Sequence, residues 1–366
     1  MVSFCFRRKW QRIIKDPHFD GQYTALLGVT DADVTDGGVF TCQVEDFGFR
    51  RCVSKRMRIK EPPIITLDPM SLTVRKGDNF TVKCICSTAD SFDRHTYSWT
   101  KNRELLPVRT EWGSYEVLYP TGSILQVYKV KKSAKFSCLV QDGAISSEAS
   151  IEVLVVGTDG VETCQAEESF DVQWPVTAPD SESIQNCPRG YIGRAHRQCS
   201  LVARGPAWRT PDFSRCTSLE LHKTFENLRL YCIGYETSLG PEETLSAVLG
   251  HLDSRHLLPG EGSRVLELLR EFAAKANITH YSAPEAGKTF LDIIDKIMQQ
   301  NDALISEEQV QLLQQFIQEV VIQYMSPQVN SKRSTFRSSS DTVDVSIAAI
   351  DKIKSPFLRI PFSRKS

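Results

Sequence analysis

Apolar and polar residues alternate along much of the first part of the chain. In Gly77–Cys84, Phe80, Val82 and Cys84 fall on one side, the period-two pattern of a half-buried strand. Tyr23–Val29 and Ile151–Val156 read as strands too. From about Leu219 the period changes. Leu245, Val248, Leu249 and Leu252 recur three and four apart, entered through Pro241-Glu-Glu-Thr, as on one face of a helix. Val265, Leu269 and Phe272 repeat the spacing, as do Phe290, Ile293, Ile294 and Ile297. Ser306-Glu-Glu-Gln309 is a capping box ahead of Leu313, Phe316, Ile317, Val320 and Tyr324. With a helix over Leu219–Tyr231, about five amphipathic helices are predicted to pack as a small bundle.

Asp36-Gly-Gly-Val-Phe-Thr-Cys42 fits the corner between strands E and F of an immunoglobulin sandwich. Phe40 stands where tyrosine is usual, so the corner hydroxyl bond is lost. Strands A and B have no place before Trp10, and residues 1–60 are read as a partial immunoglobulin-like domain. Cys5 and Cys52 are both candidate partners of Cys42. Glu61-Pro-Pro63 marks a linker. A second immunoglobulin-like domain is expected over 61–157, with Cys84, Trp99 and Cys138 in the order the fold requires. Cys84–Cys138 is the expected bridge and Cys86 the alternative to Cys84. Lys132-Ser-Ala-Lys135 replaces the usual Asp-x-Gly turn.

Composition narrows the setting. A chain of 366 residues holds about two to four domains. The net charge of −1 leaves no electrostatic footprint for nucleic acid. No apolar run approaches the ~18 residues of a membrane span. The amino terminus lacks the apolar core of a signal peptide. Yet the eleven cysteines are spaced like structural disulfides of an oxidising compartment, so the sequence reads as a fragment of a longer extracellular protein. Asn79 and Asn277 begin glycosylation sequons.

Between the two periodic regions, residues 160–217 carry Cys164, Trp174-Pro-Val-Thr177, Cys187-Pro-Arg-Gly-Tyr-Ile-Gly-Arg-Ala-His-Arg-Gln-Cys199, Trp208 and Pro211-Asp-Phe-Ser-Arg-Cys216. So short a segment cannot build a large core and depends on cross-links. Trp174, Pro175 and Trp208 are its expected core. Four cysteines allow three pairings. The pattern resembles the hormone-receptor module of adhesion G-protein-coupled receptors, and that resemblance implies Cys164–Cys199 and Cys187–Cys216. Gln173 stands where three-bridge hormone receptors have a cysteine. The helical stretch 219–326 resembles the first subdomain of the autoproteolysis-inducing domain of the same receptors. Residues 327–366 read as a linker and truncated tail. The expected fold class is thus multidomain: all-β immunoglobulin sandwiches, a small disulfide-rich module, then an all-α helical subdomain.

Catalytic chemistry finds no support. Such receptors cleave at His-Leu-(Ser/Thr), where a hydroxyl attacks the preceding carbonyl; His251-Leu-Asp and His256-Leu-Leu offer none. The seven histidines show no metal-ligand spacing and are read as satisfied surface groups. No cofactor is expected, and no enzyme. Cys232 reads as a buried helix thiol. Arg51, Lys55, Arg56, Arg58 and Lys60 make a candidate glycosaminoglycan site, though a solvated strand face is the favoured reading. The resemblance implies a receptor ectodomain at the extracellular face of the plasma membrane. Such an ectodomain would bind an extracellular protein or matrix ligand and reach the membrane only through further segments. A soluble immunoglobulin-domain binding or decoy protein is the alternative. A secreted hydrolase and a peptide-hormone receptor are the weaker rivals.

Overall fold

The computed structural model describes residues 9–15, 23–29, 32, 36–46, 48–59, 62–87, 95–106, 113–119, 122–143, 145–157, 162–232, 240–275, 283–325, 335–339 and 344–348. Two compact units form. One is made mainly of Arg7–Pro69 and Val74–Val155, the other mainly of Val156–Ser366.

The first unit begins with two hairpins. Strands β1 (Lys9–Lys15) and β2 (Tyr23–Val29) pair antiparallel, as do β3 (Gly38–Asp46) and β4 (Phe49–Met57). Nine further strands follow: β5 (Ile64–Asp68), β6 (Leu72–Arg75), β7 (Phe80–Ser87), β8 (Thr96–Lys101), β9 (Glu104–Leu105), β10 (Ser114–Tyr119), β11 (Gly122–Val127), β12 (Ala134–Asp142) and β13 (Ile145–Val156). They make a four-stranded sheet in the order β10-β11-β7-β5 and a five-stranded sheet in the order β6-β13-β12-β8-β9. Alternation turns Phe80, Val82 and Cys84 of one sheet toward Trp99, Phe136 and Cys138 of the other, all buried. The Phe80 and Phe136 rings meet edge to face at 5.4 Å. This is an immunoglobulin-like sandwich.

Residues 1–60 do not close a second sandwich among the described residues. Their strands form separate two-stranded ribbons whose apolar side chains remain in water: Phe49 is 79% and Val53 74% exposed. A ribbon has no facing sheet to bury against, which is why the motif at Cys42 does not produce a core. The β3–β4 register pairs Cys42 with Val53 and Gln43 with Cys52. Successive residues alternate faces, so Cys42 and Cys52 lie on opposite sides of the ribbon and cannot bond to each other. Cys5 lies outside the described residues.

The second unit opens with β14 (Glu167–Ser169), β15 (Val172–Trp174), β16 (Ser181–Asn186), β17 (Tyr191–Val202), β18 (Gly205–Trp208) and β19 (Cys216–Ser218). Long β17 pairs with β16, β18 and β19. The helices are α1 (Leu219–Cys232), α2 (Pro241–Asp253), α3 (Glu261–Lys275), α4 (Ala283–Met298) and α5 (Glu307–Val320), with a π turn over Val321–Met325. Pro241 opens α2, where its missing N–H costs nothing. The apolar stripes converge on one core in which Phe290 touches Phe272, Phe316 and Tyr324, with centroids 5.9, 5.7 and 5.1 Å away. The tail expected as linker contains a hairpin, β20 (Thr335–Ser339) with β21 (Asp344–Ala348). The partner of β21 lies upstream, in the Ser-rich stretch.

Candidate functional site

In the sandwich, Cys84 is bonded to Cys138 with Cα atoms 6.3 Å apart. Trp99 pairs with Cys138 in the β8–β12 register and its Nε1–H donates to Ser123 Oγ at 2.8 Å. Cys86, the alternative partner, is buried further along β7. The inward set leaves the opposite positions outward. Across β8, β12 and β13 these form the rows Thr96–Gln141–Ser146, Ser98–Leu139–Glu148 and Thr100–Ser137–Ser150. The Ser137 and Ser150 hydroxyls are 2.9 Å apart. The outer face of the five-stranded sheet is therefore polar and rich in hydroxyls.

Asn79 is exposed at the entry to β7, and its Oδ1 accepts the Lys129 N–H at 2.8 Å. Asn277 lies outside the described residues. The basic run does not make one patch. Alternation puts Arg51 and Lys55 on the face of Cys42 and Val53, and Arg50 and Arg56 on the other. Arg50 Nη2 lies 3.7 Å from Glu45 Oε2, while Lys60 falls outside the described residues.

In the module, Cys164 is bonded to Cys199 and Cys187 to Cys216. Gly193 has φ +115°, and a Cβ there would meet the Arg215 carbonyl oxygen at 2.1 Å. The glycine lets β17 approach β19 beside the second bridge. Trp174 is buried, Trp208 half-buried and Pro175 exposed. Trp208 thus packs against the cluster around Trp174 at half burial, while Pro175, expected in the core, is exposed. Beside both tryptophans lies Arg197, which sequence reasoning passed over. Its guanidinium lies 5.6 Å from the Trp174 ring and 4.9 Å from the Trp208 ring, within cation–π range. Nε donates to the Arg209 carbonyl at 2.9 Å and Nη1 to Glu167 Oε1 at 3.0 Å. The available signal was period two: Ala195, Arg197 and Cys199 share one side of β17, so the arginine had to point inward.

The module and the helices meet within the second unit. Phe213 N–H donates to the Pro259 carbonyl at 2.9 Å, and Leu258 packs against the module's cluster around Trp174 and Phe213. Arg264 Nε donates to Thr217 Oγ1 at 2.9 Å. Buried Glu261, 1% exposed, takes the Arg255 guanidinium and the Leu258 N–H. The Arg255 charge is held up by that carboxylate against the cost of its burial. Tyr191 is pushed up to about 12, chiefly by burial and then by the Glu261 charge. The histidines read as surface groups are otherwise placed: His196 and His251 have side chains only 9% and 8% exposed. Both hydrogen-bond within polar networks.

Among the described residues no group of three metal-ligating side chains gathers, and no helix is long and apolar enough to cross a membrane. No family model matches the chain. It is similar to Contactin-1 of Bos taurus, 27% identical over 162 residues, which is 43% of this chain and 16% of that protein. Contactin-3 of Homo sapiens is 25% identical over 138 residues, 36% of this chain and 13% of that protein. The chain thus spans only a small part of the curated relatives it matches. Among solved structures, isoform 5 of the Dscam1 Ig7 domain is 29% identical with a TM-score of 0.23, covering 26% of this chain and 97% of that one. A titin I67–I69 fragment is 13% identical with a TM-score of 0.30, covering 52% and 59%. These findings overturn the expected adhesion G-protein-coupled receptor ectodomain with its hormone-receptor module, because the similarity runs to contactins. The chain carries an immunoglobulin-like sandwich and is similar, over less than half of its length, to contactins.

Proposed function

We propose that this chain is a non-catalytic binding segment of a cell-surface or extracellular adhesion protein. Its sandwich recognises a protein partner on another cell or in the matrix. The observation that carries the reading is the outer face of the five-stranded sheet, where Thr96, Ser98, Thr100, Ser150 and Glu148 surround Leu139. A hydroxyl-rich face with one apolar centre offers a partner side-chain hydrogen-bond donors and acceptors around an apolar contact. The likeness to contactins supports an adhesion role. An N-linked glycan on exposed Asn79 belongs to the same reading. It would sit at the start of β7, in the other sheet.

The test is a binding screen of the full chain, disulfides formed, against cell-surface and matrix proteins. A partner should be found whose binding drops at least about tenfold in Glu148→Arg or Leu139→Arg. Binding that survives both variants places the contact elsewhere and refutes the assignment of this face.

A further inference from the structure

One chain of hydrogen bonds joins the module to the helices. Tyr191 of β17 and Ser218 of β19 stand on the module side. Glu220 of α1, His251 of α2, Arg255 of the α2–α3 connection and Glu261 of α3 stand on the helical side. Arg255 is the centre. Its fork binds Glu261 and the Tyr191 hydroxyl, its Cζ lies 5.3 Å from the Tyr191 ring centroid, and its Nε donates to His251 Nε2 at 2.6 Å. A guanidinium can only donate, so Nε2 must accept. The ring is therefore neutral and protonated on Nδ1, which donates to Glu220 Oε2 at 2.7 Å. Ser218 Oγ lies 3.0 Å from the same Nε2. Lys296 of α4, which also packs on α2, is paired with Asp253 at 2.7 Å.

The geometry points to an acid-sensitive latch: protonation of His251 at Nε2 releases Arg255 and loosens the seam between the module and the helical bundle. A proton on Nε2 sets donor against donor and places an imidazolium beside a guanidinium. Burial, and then the Arg255 charge, hold the His251 pKa below its ordinary value, with Glu220 opposing them. A histidine lowered in the folded state contributes its full stability above its unfolded value, about 6.5. That contribution falls as pH drops through the lower folded value, so the latch opens below about pH 6.5 and not above it. His196 in the module is also buried. Its Nδ1 lies 3.0 Å from Glu182 Oε1 and its Nε2 3.4 Å from Arg215 Nη1, and it makes the natural control.

The test is backbone amide exchange of the full oxidised chain at about pH 7.5 and about pH 5.5, corrected for intrinsic chemistry. Amides of residues 254–258 and of Tyr191 should open more often at acid pH, by up to about tenfold for each unit of His251 shift. The acceleration should vanish in His251→Gln, whose Oε1 accepts from Arg255 without titrating, and persist in His196→Gln. Equal acceleration in His251→Gln, or its loss only in His196→Gln, overturns the latch. Should His251→Gln fail to fold, the ring signals of His251 in the native chain carry the test. Amide opening must then follow the ring's own titration, and midpoints apart by more than about one pH unit overturn the proposal.

Discussion

Replacing Arg197 by methionine keeps the length and most of the apolar stem while removing the planar charge that lies against Trp174 and Trp208. Three contributions are lost. The charged hydrogen bond to the Arg209 carbonyl, 2.9 Å long, is worth about 1.5–3 kcal/mol. The ion pair to Glu167 contributes only about 0.2–1 kcal/mol, because that carboxylate is itself half in water. Two ring contacts at 5.6 and 4.9 Å add about 0.5–1 kcal/mol each. Methionine sulfur against the same rings recovers about 0.3–1.5 kcal/mol. The net destabilisation is about 3 kcal/mol, a large share of what a thin, two-bridge module can spare. The two units need not unfold together, so the assay must report on the module alone. Urea titration of fluorotryptophan-labelled protein, read at the Trp174 and Trp208 resonances under oxidising conditions, does this. Arg197→Lys should fall between, since lysine keeps a charge but has no planar face and no fork. A loss below about 1 kcal/mol in Arg197→Met, or a wild-type midpoint in Arg197→Lys, would refute the stacked-arginine account.

Other outcomes follow from the same structure. Trp99→Phe removes the 2.8 Å bond to Ser123 and thins the sandwich core, and should cost about 1–3 kcal/mol in the first unit while leaving the module's melting unchanged. A maleimide should label exposed Cys42 and Cys52 in the native chain but none of the six bridged cysteines until reduction; protection of Cys52 would contradict the ribbon. The Glu182 carboxyl is held low, first by its hydrogen bond from His196. It therefore contributes stability above its unfolded value, about 4.5, that is lost as pH falls through the lowered value. Glu182→Gln should flatten the module's stability profile in that acid range, and an unchanged profile would rule the pair out. Asn79→Gln should remove one glycan's mass from protein made in a secretory host; an unchanged mass on a glycosylated chain would exclude Asn79 as the site.

The family expectation failed for a physical reason. Several residues of the Trp-Pro and Cys-Pro-x-Gly-x-x-Gly pattern have local tasks. Gly193 opens a close strand approach, Trp174 fills the core, and Cys187 staples the β16–β17 turn to β19. Residues chosen for such tasks report the architecture of a cross-linked hairpin stack more directly than its ancestry. The sequence similarity that was found, over 43% of the chain, runs to contactins instead.

What the sequence determined by itself is local and periodic. Period two placed Phe80, Val82 and Cys84 inward, and the 3.6-residue period with Pro241 and Ser306 set helix faces and starts, because both signals are written within a few consecutive residues. Only the tertiary structure decided three things. It left the described strands up to Met57 as ribbons with exposed apolar side chains, since burial needs a facing sheet that no single strand can announce. It set Arg197 against both Trp174 and Trp208, and it closed the Tyr191–Arg255–His251 chain across 64 residues. The last two depend on side chains far apart in sequence meeting out of water, where an unpaired charge or polar group is too costly to leave alone. That cost is paid or avoided only after the chain has folded.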